Sequence, residues 1–392
     1  MPEVLQNVLT YAGSFVLVLS VVVFVHEFGH FQVARWRGVA IDTFSIGFGK
    51  TLFGWRDKQG VHWKVGALPL GGYVKFADDA DAMSTGPREK LSPEQLAQAR
   101  AQGLFHAQPL STRALVVAAG PFTNFVFSIL AFAAIALMVG RDVTDIDSIP
   151  ARVAGIASGS AAEAAGLRAG DVIREADGAQ IGSFADLQAA VSNAADRAIT
   201  LQVVRRGEPV SLTVTPASVQ GRGVLGVSGP LVLPEERQIE QFNAIEALGA
   251  GASQTWNIIA QTGAYIGAIF AGRENGDQIA GPLGIINVSG QVASSALGGG
   301  DTGLDQRLRN LGLALLSLAA VLSVAVGFVN LLPIPILDGG HLLFYAIEGV
   351  RGGRPLPEAA QEWAYRAGFA VMASLFLFAT WNDITRLLPG AN

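Results

Sequence analysis

The stretch VVVFVHEFGHFQVARWR, residues 21–37, decides how the fold of this chain is interpreted. A long apolar run enters it, His-Glu-Phe-Gly-His lies near its end, and two arginines close it. On a helix, His26 and His30 are one turn apart and therefore share a face. Two imidazoles on one face can hold Zn²⁺, and Glu27 beside them can serve as the general base that activates water.

The histidine motif has an ordinary alternative, because an H-E-x-x-H match can arise by chance on any helix. In that case both histidines would be core residues with hydrogen-bonding partners of their own. Here, however, three ionisable groups lie within five residues at the end of an apolar run. Ionisable side chains are costly inside a membrane, and their presence there indicates a function. We therefore interpret the motif as a metal site.

The composition is unusual for a soluble protein, because half of the 392 residues are apolar and only 15% are charged. The net charge of −5 gives no indication of nucleic acid as a partner. The chain has no cysteine, so a metal would need His, Asp or Glu as ligands. The first residues carry no Lys or Arg. We therefore expect the first apolar stretch to be retained rather than cleaved as a signal peptide.

Four stretches contain the roughly 20 apolar residues that a membrane-spanning helix needs. They are residues 8–34, 115–139, 311–332 and 369–388. The second opens with a Gly-Pro pair, which suits a first helical turn. A fifth apolar stretch, residues 244–271, contains Ser, Gln and Asn, and we predict an interfacial or peripheral helix there.

The remaining segments predict β-structure in two places. Short runs punctuated by glycines in residues 40–76 indicate β-hairpins, and the polar residues 77–110 indicate a loop that contains a helix. Residues 150–230 predict short strands and helices between glycine turns, as in a small α+β domain. The predicted fold class is a polytopic α-helical membrane protein of about four transmembrane helices, with a membrane-associated β-hairpin region and an inserted α+β domain.

The predicted organisation follows from these segments. It comprises a first transmembrane helix in 1–36, a β-hairpin region with its loop in 37–110, a second transmembrane helix in 111–140, the α+β domain in 150–230, a periplasmic or interfacial helical region in 235–305, a third transmembrane helix with its Asn-x-x-Pro-x-Pro-x-Leu-Asp-Gly-Gly motif in 310–345, and a fourth transmembrane helix in 362–389.

The distribution of basic residues predicts an orientation. Every lysine lies between the first two spans, whereas the segment between the second and third spans is rich in acidic residues. Because cytoplasmic loops are enriched in Lys and Arg, residues 36–112 are expected in the cytoplasm. Both termini and residues 141–305 are then expected in the periplasm. The two motif histidines would lie near the cytoplasmic face.

The third metal ligand has to come from a distant part of the chain. A catalytic zinc site usually has three protein ligands, and the next His and Glu after the motif are too far along for known soluble patterns. The remaining candidates are Asp338 and His341, which follow two closely spaced prolines. Prolines end a helix, and irregular backbone at membrane depth is tolerated where it lines a cavity. We prefer Asp338, whose alternative role is to form a turn before glycine.

These motifs resemble the site-2 protease family of intramembrane zinc metalloproteases. The resemblance rests on residues 26–30, 120–124 and 330–340 in that order, and the Gly-Gly-Tyr-Val-Lys run of residues 71–75 is similar to the sigma-E-regulating branch of bacteria. The resemblance implies that His26, His30 and Asp338 bind zinc and that Glu27 is the catalytic base. It also implies that the inserted domain is PDZ-like, although the chain has room for one such domain rather than a tandem pair.

Further site residues are predicted around this core. Gly71, Gly72 and Tyr73 would present a strand edge to substrate. Asn330 would bind the substrate backbone or, as an equal alternative, cap its helix. Asn124 is a polar group inside an apolar span that must find a partner, and we include it among the substrate-binding residues. The predicted peptide-binding loop of the PDZ-like domain consists of Val224, Leu225, Gly226 and Val227.

The resemblance implies hydrolysis of peptide bonds within or next to transmembrane segments in the bacterial inner membrane. The expected partners are the bilayer and single-span proteins such as anti-sigma factors, with signal-peptide remnants as a further class. One alternative is a non-catalytic membrane scaffold that binds peptide termini. Another is a transporter, since broken helices with polar residues also mark transport sites.

Overall fold

The computed structural model describes residues 2–77, 92–219, 221–298 and 303–387. The chain forms two compact units, unit 1 from Met1–Met138 and Asn243–Asn392, and unit 2 from Val139–Phe242. The helices are α1 (Pro2–Trp36), α2 (Pro93–Ala101), α3 (Leu110–Val139), α4 (Ala161–Ala164), α5 (Phe184–Ser192), α6 (Ala244–Phe270), α7 (Pro282–Leu297), α8 (Leu304–Asn330), α9 (Asp338–Val350) and α10 (Glu358–Leu387). The strands are β1 (Ile41–Arg56), β2 (His62–Phe76), β3 (Arg141–Asp142), β4 (Gly155–Ile156), β5 (Val172–Ala176), β6 (Ala179–Gln180), β7 (Ile199–Arg205), β8 (Glu208–Val214), β9 (Ala217–Val219), β10 (Arg222–Val224), β11 (Val227–Ser228) and β12 (Ile239–Glu240).

Four of the described helices are long and apolar enough to cross a bilayer. They are Val8–Trp36 within α1, Leu110–Val139, Leu304–Asn330 and Glu358–Arg386. The last two begin well before the apolar stretches that we predicted, because the preceding polar segments contain good helix formers that a hydropathy pattern does not register. The fifth stretch forms the separate helix α6.

One helix boundary in unit 1 differs from that predicted, and one predicted break is present. α3 begins at Leu110, so Pro121, which we placed in a first turn, lies inside the helix. Neighbouring helices can satisfy the carbonyl that a proline leaves free. After the third span, α8 ends at Asn330 and α9 begins at Asp338, so the helix is interrupted where the two prolines predict a break. The two prolines occupy the break between them.

β1 and β2 form a sheet that folds back on itself. Residues 41–46 of β1 pair on one side with residues 72–76, and residues 43–46 pair on the other side with the start of β2, residues 62–65. Residues 62–66 also pair with residues 51–56, the end of β1. The order of segments is therefore 51–56, 62–66, 41–46 and 72–76. The last segment, which carries the Gly-Tyr-Val-Lys residues, lies at an edge of the sheet.

The sheet packs on an aromatic face of α1. Phe24, Phe28 and Phe31 recur with helical spacing, and Phe44 and Trp63 of the sheet meet them. The ring of Phe31 lies 5.2 Å from that of Phe44 and 5.0 Å from that of Trp63, both edge to face. Because Phe31 and Phe44 are both 1% exposed, this cluster stabilises the sheet beside the histidine motif.

Unit 2 is an α+β unit built around a four-stranded antiparallel sheet in the order β6-β5-β7-β8. Its core contains Ile173, Leu187 and Leu201, each at most 2% exposed. α5 begins after Ser183, whose side chain accepts a hydrogen bond from the main-chain N–H of Asp186. Gly155–Ile156 form the short strand β4, which pairs with β11.

A buried carboxylate holds β7 to the loop before β5. Asp171 is 1% exposed and accepts hydrogen bonds from Arg205 Nε at 2.8 Å and Nη2 at 2.7 Å. The N–H of Arg168 donates to it as well, at 2.9 Å. Burial raises the pKa of Asp171, but these hydrogen bonds outweigh burial and leave its pKa below the usual value. The ionised form is therefore favoured in the folded unit.

We expect Asp171→Asn to lower the free energy of unfolding of unit 2 by about 2 kcal/mol, because hydrogen bonds to a charged group are lost. In the unsubstituted protein this contribution is present above the pKa of an unfolded Asp. It is lost as the pH falls through the lowered pKa of the folded state. Hydrogen exchange of β5 and β7 in the full chain, at neutral pH and in acid, measures both effects.

The matched control is Asp177→Asn, which removes an exposed ion pair with Arg197. We expect no comparable increase in exchange there, since exposed pairs contribute little. Equal exchange in the two variants at neutral pH would contradict the role of Asp171.

Candidate metal centre

α1 and α9 bring together three side chains that can hold a metal. His26 and His30 lie one turn apart on α1, and Asp338 is the first residue of α9. The Oδ2 atom of Asp338 lies 3.2 Å from His26 Nε2 and 3.4 Å from His30 Nε2. The two Nε2 atoms are 3.2 Å apart. Within the described residues, this is the one such group of His, Asp and Glu side chains.

The spacing of these atoms fits a zinc ion. Tetrahedral zinc with bonds of about 2.0–2.1 Å keeps its ligand atoms about 3.3 Å apart. Asp338 Oδ2 is buried and has no hydrogen-bond partner in the part of the chain that the structure describes. A buried carboxylate oxygen is costly to leave unpaired, and a cation would satisfy it. His341, the other candidate, lies outside the group, with its ring 6.0 Å from that of Tyr365.

α3 passes close to both imidazoles. The ring nitrogen Nδ1 of His30 is 2.9 Å from the main-chain oxygen of Val116, which can accept its proton and leave Nε2 free for a metal. A Cβ atom on Gly120 would lie 2.3 Å from His30 Nε2 and 2.9 Å from His26 Cε1. Only glycine therefore allows α3 to approach the histidines this closely.

The structure places Asn124 elsewhere than we expected. Its side chain is 0% exposed, with Nδ2 3.1 Å from His26 Nδ1 and Oδ1 3.1 Å from the hydroxyl of Ser323. It therefore contacts a candidate ligand rather than a surface that substrate could reach. The sequence shows that a polar group in this span needs a partner, but it does not identify His26 and Ser323 as the partners.

The side chain of Glu27 extends from α1 to the edge segment 72–76. Its carboxylate interacts favourably with the main-chain N–H of Val74 in that segment. A Cβ atom on Gly72 would lie 2.9 Å from Glu27 Cγ, so the strand contacts the helix directly at this point. A carboxylate beside three potential metal ligands and a strand edge is placed to act as a base on a peptide laid along that edge.

The other residues of the predicted strand edge lie around the same segment. Gly71 has a φ of +141°, which favours glycine, and a Cβ there would lie 2.5 Å from the Phe48 ring. Tyr73 stacks on Phe48 with centroids 6.0 Å apart, and Lys64 lies 4.9 Å from its ring. Gly71, Gly72 and Tyr73 thus shape the edge, and their contact with substrate stays a prediction.

Asn330 is the last residue of α8, and its Nδ2 donates to Val326 O, one turn back, at 3.0 Å. This contact matches the helix-capping alternative for Asn330. A role in binding substrate backbone stays a prediction, because the contact occupies only one of the two ends of the amide.

An ion pair that the sequence does not reveal anchors α9. Arg113 near the start of α3 donates to Glu348 near the end of α9, with Nη2 2.6 Å from Oε1 and Nη1 3.3 Å from Oε2. Its guanidinium also lies 4.9 Å from the centre of the Tyr345 ring. The two residues are 235 positions apart in sequence. The pair holds the helix that presents Asp338 against the helix that contacts both histidines.

Within unit 2, the predicted peptide-binding loop runs from the last residue of β10, Val224, to the first residue of β11, Val227. The Val224 side chain is exposed, whereas Leu225 is 3% exposed and belongs to the core. The carbonyl of Leu225 accepts from Ala162 N, and that of Gly226 accepts from Ala157 N. Gly226 has a φ of +77°, and Val227 enters β11. Peptide binding at Val224, Leu225, Gly226 and Val227 stays a prediction.

Comparison with known proteins extends this description. The family model described as "Peptidase family M50" matches residues 14–375. A Rhizobium meliloti protein that carries the name of a zinc metalloprotease is 41% identical over 396 residues, which covers 99% of this chain and 100% of that protein. Metalloprotease MmpA of Caulobacter vibrioides is 40% identical over 95% of both chains. Regulator of sigma-E protease RseP of Escherichia coli is 29% identical over 96% of this chain and 98% of that protein.

We expect the purified chain to hold about one zinc ion, as a site with three convergent ligands does. His26→Ala and Asp338→Ala should each remove it, because two remaining ligands bind too weakly to survive purification. His62→Ala is the matched control, and His341→Ala tests the other candidate ligand. Both should retain zinc by elemental analysis. Loss of zinc in His341→Ala together with retention in Asp338→Ala would contradict this ligand set.

Proposed function

The chain belongs to peptidase family M50 and is a zinc metalloprotease, and we propose that it hydrolyses peptide bonds within or next to transmembrane segments of single-span membrane proteins. The proposal rests mainly on the position of the metal centre in the chain. The three convergent donor atoms and Glu27 lie in or beside helices that can cross a bilayer, rather than in unit 2. A site in this position is suited to substrates that lie in the membrane.

The proposed mechanism assigns a task to each side chain. His26, His30 and Asp338 would hold zinc, which supplies Lewis acidity that activates water and polarises the scissile carbonyl. Glu27 accepts a proton from the attacking water and delivers it to the leaving amine. The carboxylate of Glu27 lies near the main-chain N–H of Val74, beside the strand edge. The apolar surroundings strengthen these electrostatic interactions.

Substrate is proposed to bind as an added strand along residues 72–76. A transmembrane substrate must unwind before its carbonyls can be attacked, and its freed backbone groups then need partners. An edge strand supplies them without regard to side-chain sequence. The contact between Gly72 and Glu27 places this edge next to the proposed base.

The proposed location is the bacterial inner membrane, with the metal centre near the cytoplasmic face and both termini in the periplasm. The lysine distribution supports this orientation. Unit 2 is proposed to be a periplasmic PDZ-like domain that binds extended peptide at Val224–Val227, and its α+β construction supports that assignment. The proposed substrates are anti-sigma-factor-like proteins, which the name of the Escherichia coli relative as a regulator of sigma-E supports. Signal-peptide remnants are proposed as a further class.

We expect Glu27→Gln to lower cleavage of a single-span model substrate on the order of 10²- to 10⁴-fold, the usual contribution of a general acid–base group. Zinc content should be unchanged, because Glu27 is not among the three convergent donors. The measurement is product formation by the reconstituted protein. A non-catalytic scaffold would show no cleavage to lose, and full activity in the variant would contradict the assignment of the base.

Strand addition predicts a two-residue periodicity in cross-linking, because alternate residues of a strand face opposite sides. Single cysteines at Val74 or Lys75 can be paired with a series of cysteines in the substrate, in the Glu27→Gln background. Each should form disulfides with every second substrate position. A cysteine at Thr51, on the opposite edge segment, is the control and should form none. Cross-links without periodicity would count against an added strand.

The proposed orientation is tested by labelling, because the chain contains no cysteine of its own. Lys58 and Arg174 are both exposed, so a cysteine at either position would be reachable by a reagent on its own side. An impermeant maleimide added to intact spheroplasts should label position 174 and not position 58. Labelling of position 58 before lysis would refute the orientation.

A further inference from the structure

Three helices meet at a buried polar contact beside the metal centre. Asn124 of α3 lies between His26 of α1 and Ser323 of α8, and both Asn124 and Ser323 are 0% exposed. The amide nitrogen of Asn124 is 3.1 Å from His26 Nδ1, and its amide oxygen is 3.1 Å from Ser323 Oγ. The Ser323 hydroxyl also lies 3.3 Å from the main-chain oxygen of Asn124. Such a contact in an apolar environment must satisfy every polar atom.

The tautomer of His26 determines whether it can bind a metal. A neutral imidazole carries one proton, and Nε2 offers a lone pair only when that proton is on Nδ1. A proton on Nδ1 requires an acceptor at the position of the Asn124 amide. The amide oxygen can fill that position, whereas the amide nitrogen can only face an Nδ1 that lacks a proton. The orientation of this amide and the tautomer of His26 are therefore coupled.

Ser323 forms a hydrogen bond with the other end of the Asn124 amide in either orientation. When the amide oxygen faces His26, the amide NH₂ faces Ser323 Oγ and donates to it. The Ser323 hydroxyl then donates its own proton to the main-chain oxygen of Asn124. Every group is satisfied in this arrangement. Rotating the side-chain amide of Asn124 by half a turn gives this arrangement. The rotation exchanges the positions of Oδ1 and Nδ2, which are nearly equal in size.

We propose that Asn124 and Ser323 are positioning residues that stabilise the Nδ1-protonated tautomer of His26 and so present its Nε2 to the zinc. This inference rests on the proposed role of His26 as a ligand. His30 has a different arrangement, because its Nδ1 is 2.9 Å from a main-chain oxygen that offers only an acceptor. Only the tautomer of His26 thus depends on side chains that substitution can change.

The test measures zinc affinity by competition with a chelator, so it does not depend on activity. Asn124→Leu keeps the approximate volume and removes the acceptor, and we expect zinc affinity to fall about 10- to 100-fold, the usual effect of losing such a partner. Asn124→Asp retains an acceptor for Nδ1–H and should keep an affinity close to that of the unsubstituted protein. Ser323→Ala should give an intermediate loss, because the amide is no longer held at its far end.

Ser128→Ala is the matched control for helix packing. Ser128 is also 0% exposed, and its hydroxyl lies 3.0 Å from Asn124 O and 2.8 Å from Ala320 O, so it joins the same two helices. Both of these acceptors are main-chain oxygens. The proposal expects unchanged zinc affinity in this variant. An equal loss in Ser128→Ala and Asn124→Leu would show that packing alone is responsible and would overturn the proposal.

The remaining outcomes separate this inference from the proposed function. If His26→Ala loses zinc while Asn124→Leu keeps an affinity close to that of the unsubstituted protein, the positioning role is wrong and the ligand set stands. If His26→Ala retains zinc, the ligand set itself is wrong, and the inference falls with it. If Asn124→Leu does not fold, Asn124→Asp tests the proposal by itself. A zinc affinity of Asn124→Asp as low as that of His26→Ala would overturn the proposal.

Discussion

The close crossing of α1 and α3 is the constraint on which the metal centre depends. A Cβ on Gly120 would collide with both imidazoles, and a Cβ on Gly29 would lie 2.5 Å from Ala119 O and from Thr123 Oγ1. Glycines on both helices therefore let the two backbones approach until α3 supports the histidines from behind. This is the same use of small residues that drives helix association in membranes, where burial of apolar surface gives no advantage over lipid.

Hydrogen bonds from side-chain hydroxyls to main-chain oxygens then stabilise the packing of these helices. Ser128 and Ser323 bond across α3 and α8, and Thr123 bonds within α3 to Ala119 O at 2.7 Å. In an apolar environment each of these groups would be costly if unpaired. Their pairing favours one packing of α3 against α8. Of these residues, Ser323 alone is connected to a candidate ligand, because the side chain of Asn124 lies between it and His26.

The third ligand depends on a different kind of contact. Asp338 follows a break that two prolines impose, so α8 does not hold it directly. The Arg113–Glu348 pair at the far end of α9 instead ties that helix to α3. Glu348 is 9% exposed, and a partly buried bidentate pair of this kind specifies a position more than it adds stability. The strand edge depends on a further contact. The aromatic cluster around Phe31 packs the sheet on α1, and segment 72–76 then lies against Glu27.

Much of this protein follows from the sequence by itself. Apolar length predicted the four helices that can cross a bilayer, and the spacing of His26 and His30 placed them on one face. The absence of cysteine restricted the choice of metal ligands, and two prolines marked the break before Asp338. These features are local, since each depends on periodicity, residue type or backbone chemistry over a few residues. Local rules of this kind need no knowledge of neighbouring helices.

Only the tertiary structure decided which distant atoms meet. It placed Asn124 against His26 and Ser323 rather than toward substrate, and it paired Arg113 with a residue 235 positions away. It also folded β1 back so that segment 72–76 became the edge beside Glu27. A polar residue in an apolar span signals that a partner exists, but many partners are compatible with that signal. The choice among them depends on helix crossing and strand register, which arise from packing of the whole unit.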